Sequence, residues 1–186
     1  MYLRTEKTDY DRVYNRGLKA EQECLGYLAH LTDMTVIGTD LPEDQFTDID
    51  VYLDGEPWSI KTQQTGYKYG HLCLELGSQR GYGVAPLSDS DRAWLSAVCP
   101  PGPQVPPGYL KGWWFTGRPL GYVIWQGPCL YLIEKAALAA HVTVKGFLRV
   151  RGLNSQNLKM QGGKNTYCGY IDMKDVPWTR VIKLRP

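Results

Sequence analysis

Two acids and a lysine sit on short segments whose spacing lets them meet. Residues 48–53, 58–63 and 71–76 each alternate apolar and polar side chains: Ile49, Val51 and Leu53, then Trp58 and Ile60, then Leu72, Leu74 and Leu76. That period of two belongs to half-buried strands. Gly55-Glu56 between the first two segments suits a type II′ turn, with glycine first, and that register places Asp50 opposite Lys61. A second turn centred near Lys68 places Lys61 opposite Glu75. Directly opposed side chains lie about 5 Å apart at Cβ, so Asp50, Lys61 and Glu75 form one row across a three-strand antiparallel meander.

Two acids flanking one lysine on an exposed sheet make an ordinary cross-strand ladder, contributing about 0 to 1 kcal/mol per pair. A third acid changes the balance. In residues 8–31 an amphipathic helix carries Tyr14, Leu18, Leu25 and Leu28 on one face, and Glu21 falls within that stripe. An acid aimed at the core needs a partner. If Glu21 joins the row, the surplus negative charge suits a hard divalent cation that keeps its waters. Mg²⁺ at such a site, or Mn²⁺ in its place, polarises a phosphoryl oxygen and lowers the pKa of a bound water. Lys61 then positions that water or stabilises developing negative charge. Asp48 shares the strand face of Asp50 and is a second or alternative ligand, with Asp50 preferred because the register sets it opposite Lys61.

The elements around these residues read as one α/β domain spanning residues 1–186. A strand at 34–39 precedes the meander, and a helix at 88–98 follows it. Residues 99–108 hold five of the twelve prolines, which makes an extended surface loop. Strands are expected at 113–116, 122–125, 130–133, 144–150 and 167–173, a short helix at 134–141, and a loop at 154–165.

Composition narrows the function classes. The chain has 186 residues, 43% hydrophobic and 22% charged, so it is neither disordered nor fibrous. Five widely spaced cysteines argue against a secreted disulfide framework and for a reducing cytoplasm. No run is apolar and long enough to span a bilayer, and the first residues lack the apolar stretch of a signal peptide, so no membrane partner is expected. Charge is segregated: Asp33 to Glu56 holds eight acids and no base, while Lys135 to the end holds ten bases and two acids. An acidic cation site beside a basic grip for a polyanion is one account, and mutual neutralisation within the fold is the other. For the grip, Lys145, Arg149 and Arg151 share one face if 144–150 is a strand. Tyr67 and Lys68 at a turn tip are contact candidates, and Gln63 on the Lys61 face orients the site or touches a phosphate.

Asp50 followed by Ser59-Ile60-Lys61 resembles the PD-(D/E)xK restriction-endonuclease-like nucleases. Asp48-Ile49-Asp50-Val51 with Ser59-Ile60-Lys61-Thr62-Gln63 is also similar to small nuclease-like proteins of tailed bacteriophages. The resemblance covers about residues 8–77. It implies a core of one helix, a three-strand meander, a helix and a further strand. It implies a metal-dependent deoxyribonuclease working on DNA in the host cytoplasm. Asp50 and Glu75 would hold Mg²⁺ with the Ile60 carbonyl, Glu21 would serve a second ion or a water, and Lys61 would assist the attacking water. The pattern departs at Ser59, which stands where the family has an acid; a subgroup carries Ser-x-Lys with the carboxylate moved downstream, and Glu75 matches that migrated acid. Two alternatives follow: a DNA-binding module of the same fold that no longer cleaves, and a phage accessory or inhibitor protein acting on a host protein. A two-ended duplex cut would require a homodimer.

Overall fold

The computed structural model describes residues 5–39, 48–63, 68–78, 85–102, 104–153 and 166–184. In chain order its elements are α1 (Thr5–Leu31), β1 (Val36–Gly38), β2 (Val51–Leu53), β3 (Glu56–Thr62), β4 (His71–Ser78), α2 (Asp89–Val98), β5 (Leu110–Lys111), α3 (Trp113–Thr116), β6 (Gly121–Gln126), β7 (Cys129–Glu134), α4 (Lys135–Lys145), β8 (Arg149–Leu153), β9 (Thr166–Asp172), a 3₁₀ turn (Met173–Asp175) and β10 (Arg180–Lys183). The mixed α/β class expected from the sequence is present.

Two sheets divide the strands. The first runs β1-β2-β3-β6-β7-β10, antiparallel except for the parallel pair β3–β6; the second runs β5-β4-β9-β8, antiparallel throughout. On one face of the first sheet α1 buries Cys24 and Leu28 against Val51, Leu53, Trp58, Ile60 and Val123. On its other face Tyr122, Ile124 and Ile133 meet Leu72, Leu74, Leu76 and Ile171 of the second sheet, with Leu95, Val98, Leu138 and Val142 from α2 and α4. The first sheet is therefore a middle layer, apolar on both sides, and its strand β6 is buried along most of its length. Leu28 holds the core face expected of it, whereas Leu18 is exposed.

Several local signals act as physical chemistry dictates. Ser88 caps α2 by accepting from the Asp91 N–H at 3.2 Å, while the Asp91 carboxylate accepts from the Ser88 N–H at 2.8 Å, a closed capping box. Asp54 and Gly55 both take positive φ, 52° and 85°, which is the type I′ hairpin turn that Asp-Gly favours.

That turn corrects the expected register. Its centre is Asp54-Gly55 rather than Gly55-Glu56, and the ladder pairs Val51 with Trp58. Moving the centre by one residue moves the pairing by two, which brings Asp50 beside Ser59 instead of Lys61.

The expected meander is also corrected. Its three strands are β1, β2 and β3, and the second edge of β3 is taken by β6, with Lys61 paired to Ile124. Strand β4 lies in the other sheet, where Glu75 pairs with Cys168 and not with Lys61. Among the described residues β3 and β4 are linked through the Gln63 side chain, whose amide donates to the Cys73 carbonyl at 2.6 Å and accepts from the Cys73 N–H at 2.8 Å.

Two further segments differ from expectation. Residues 113–116 form a helical turn, not a strand, with Trp114 buried and stacked on Tyr122. The basic segment 144–150 is not one strand: α4 runs to Lys145, Gly146 breaks it with φ of 72°, and β8 begins at Arg149. Tyr67 and the loop at 154–165 lie outside the described residues. The 99–108 segment, described save for residue 103, contains neither helix nor strand.

Candidate active site around Lys61

Lys61 projects from the face of β3 that looks toward the second sheet, and its ammonium lies 2.5 Å from Asp48 Oδ1 and 5.4 Å from the centre of the Trp113 ring. Asp48 stands before β2 with φ of 61°, a left-handed conformation that aspartate tolerates better than most side chains and that recurs at functional sites. Gly117 makes room for it: a Cβ at that glycine would stand 3.0 Å from Asp48 Oδ2 and 3.2 Å from its Cβ. Asp48 Oδ2 itself is buried and has no hydrogen-bond partner among the described residues, and the same is true of the Tyr122 hydroxyl.

Asp50 does different work. Its N–H donates to the Trp58 carbonyl at 3.0 Å, and its Oδ2 accepts from the Ser59 hydroxyl at 2.9 Å and from the Ile60 N–H at 2.7 Å. Within a strand the N–H and C=O of one residue point to the same side. The Ile60 carbonyl therefore lies on the β2 side of β3. Ser59 is fully buried.

The charges of four side chains are coupled. Burial pushes the Glu21 carboxyl above its ordinary range, Asp50 and Asp48 push it further, and Lys61 pulls it back. Asp48 is likewise raised, first by burial, with Lys61 opposing and Asp50 adding. For Lys61, burial works against the ammonium, but Asp48, Asp50 and Glu21 together outweigh it and hold the group above its usual value. The Cys24 thiol, one helical turn from Glu21, is pushed up to about 12 by burial and then by Glu21 and Asp50.

Glu21, Asp48, Asp50 and Lys61 are thus brought together, as the sequence led one to expect, with the partners rearranged: Asp48, not Asp50, holds the lysine. Glu75 is not in the row. Gln63 braces β4 through its backbone contacts, and Lys68 is exposed. Arg149 and Arg151 lie on β8, exposed on the face of the second sheet that points away from the core, and exposed Lys145 ends α4. Part of the basic segment is spent on internal pairs, Arg180 with Asp33 at 3.0 Å and Lys174 with Asp172 at 3.0 Å.

Three residues of the site are not placed beside Lys61 by the sequence. Trp113 supplies an aromatic wall for Lys61. Burial holds Tyr122 far above the usual phenol range, with Asp48 adding. Lys135 is the second cation: its ammonium donates to the Gly117 carbonyl at 2.7 Å, burial lowers its pKa, and Asp48 opposes that. Their sequence distances from Lys61 leave no local periodicity to reveal them.

Among the described residues no three His, Cys, Asp or Glu side chains form a ready-made metal cage. No helix among them is long and apolar enough to cross a membrane, and all five cysteines are free thiols. The chain matches no protein-family model, no curated protein and no solved structure.

Proposed function

We propose that the chain is a metal-dependent nuclease that hydrolyses phosphodiester bonds in DNA, acting in the cytoplasm of a cell that carries or receives it. The observation that carries this reading is the part-buried Lys61 ammonium paired with Asp48 and within the electrostatic influence of Asp50 and Glu21, with one Asp48 oxygen left without a partner among the described residues. The order of elements is compatible with it: a helix and the antiparallel β1-β2-β3, with β6 joining parallel to β3, are elements that such a core would need.

The donor set fits Mg²⁺. That ion takes oxygen ligands, and one or two carboxylates with waters and substrate phosphates suffice for it, so a full protein cage is not required. Asp48, Asp50 and the Ile60 carbonyl would hold it, and Glu21 would bind through water. When bound, the ion supplies a polarised phosphoryl oxygen and a more acidic water. The protein's own part is electrostatic. Lys61 is kept protonated by its three acids and presents a fixed positive charge where negative charge develops on phosphate. Ser59 and the Ile60 N–H fix the Asp50 carboxylate, and the Trp113 ring lies beside the lysine ammonium.

The test is cleavage of plasmid and linear DNA in Mg²⁺ or Mn²⁺. Asp50→Asn and Lys61→Arg, the latter keeping the charge but displacing it from its point, should each lose at least about 10²-fold. Full activity in either variant overturns the assignment. One observation favours a second reading, a DNA-binding module that does not cleave: Ser59 occupies the acid position and its hydroxyl bonds Asp50. DNA binding without measurable affinity for Mn²⁺ would select it.

A further inference from the structure

Residues 117–120 form a strap between the α3 turn and β6, and Lys135 holds both of its ends. The Lys135 ammonium donates to the Gly117 carbonyl at 2.7 Å, and the Lys135 backbone N–H donates to the Leu120 carbonyl at 2.8 Å. The Leu120 end is tied again where its N–H donates to the Pro57 carbonyl at 2.6 Å. At the Gly117 end the backbone bond is longer, Gly117 N–H to the Trp113 carbonyl at 3.3 Å. There the ammonium supplies the short, charge-assisted bond.

Asp48 rests against that end of the strap. A Cβ at Gly117 would stand 3.0 Å from Asp48 Oδ2, 3.2 Å from Asp48 Cβ and 2.9 Å from Pro119 Cδ, so Asp48 packs on the bare Cα of the glycine whose carbonyl Lys135 holds. Asp48 needs such support. Its φ of 61° is a conformation that persists only where the surroundings over-determine it, and its Oδ1 carries Lys61 at 2.5 Å. The contacts run in one line, from Lys135 through Gly117 and Asp48 to Lys61.

We propose that Lys135 is a positioning residue: it pins the strap against Asp48 and so sets the carboxylate that holds Lys61. Removing a group that orients a metal ligand typically costs about 10- to 100-fold in metal affinity or activity. That consequence rests on the nuclease reading, in which Asp48 is a ligand; the brace on the Lys61–Asp48 pair does not. Lys135→Met keeps an unbranched stem and removes the donor, whereas Lys135→Arg keeps a charged donor.

The experiment follows the Asp48 carboxyl carbon and the Lys61 ammonium by NMR in the full-length, metal-free chain, and then titrates the same proteins with Mn²⁺. Lys135→Met should shift the Asp48 signal and speed exchange of the Lys61 ammonium protons with water, and Lys135→Arg should return both toward wild type. Gly117→Ala should disturb the same two signals with Lys135 intact. Mn²⁺ affinity should fall by about 10- to 100-fold in Lys135→Met. Unchanged Asp48 and Lys61 signals in folded Lys135→Met overturn the proposal whatever the protein does to DNA, and so does an undiminished Mn²⁺ affinity in that variant when wild type binds the ion. Should Lys135→Met fail to fold, unchanged signals in Gly117→Ala overturn it equally. A wild type that neither binds Mn²⁺ nor cleaves DNA, with the signals moved in the variants, sinks the nuclease reading and supports the brace.

Discussion

The Lys61 ammonium and the Asp48 carboxylate meet at 2.5 Å with only 18% and 22% of their side chains exposed. The pair is not symmetrical. Lys61 also answers to Asp50 and Glu21, whereas removing it would take away the positive charge that offsets all three acids. Stranding a buried charge costs about 3 to 5 kcal/mol. Lys61→Met should therefore lower stability by about that amount, while Asp48→Asn costs much less because the lysine keeps two partners. Urea midpoints of the two variants check this; equal losses would show that the pair stands alone.

Under the proposed nuclease reading Ser59 would replace an acid, which by itself would make Ser59→Ala harmless and Ser59→Glu a restoration. The packing argues against both. The Ser59 hydroxyl is fully buried and bonds the Asp50 carboxylate at 2.9 Å. A hydrogen bond to a charged group contributes about 1.5 to 3 kcal/mol. Ser59→Ala should lose stability in that range, and Ser59→Glu should be worse, since it buries another carboxylate beside Asp48 and Asp50. Denaturation curves of the two variants decide, and a Ser59→Glu protein as stable as wild type would refute the packing given to this residue.

Glu21 gives a pH dependence with a definite sign. Burial and then Asp50 raise its folded pKa above the unfolded value, so the protonated form favours folding. Its stabilising contribution is full in acid and is lost as pH rises through the folded pKa. Glu21→Gln keeps the side chain neutral at every pH. The variant should be more stable than wild type at pH 7, with the gap closing below the ordinary glutamate value of about 4.3. Thermal melts across that range measure it; a constant gap would remove Glu21 from the buried acid cluster.

The basic strand is separable from the site. Arg149 and Arg151 are exposed on one face of β8, opposite Tyr170 and Cys168. If they grip phosphates, replacing both with alanine should weaken binding to all DNA sequences alike. The log-log salt slope should shrink by about 0.7 to 0.9 for each phosphate that is no longer neutralised. Fluorescence titrations in Ca²⁺ across a salt series measure this. An unchanged slope would leave Arg180–Asp33 as the pattern for the whole segment, bases partnering acids within the fold.

Local chemistry made much of this protein legible in its sequence. The period of two marks β3 and β4 because a strand alternates its side chains, and Ser88 with Asp91 marks the start of α2 because a capping box needs only four residues. The coincidence of Glu21, Asp50 and Lys61 was likewise readable, since an acid inside an apolar helical stripe must find charge nearby. Which strands lie side by side was not. β3 has two edges; β4 follows it in sequence, but β6, buried along most of its length, completes the middle layer better and takes the second edge. That contest is settled by long-range burial rather than by spacing, and it moved Glu75 off the strand beside Lys61 and brought in Trp113, Tyr122 and Lys135. The partner of Lys61 turned on a smaller point: Asp54-Gly55 forms the tighter-fitting hairpin turn, and that single step moved Asp50 to Ser59 and left the lysine to Asp48.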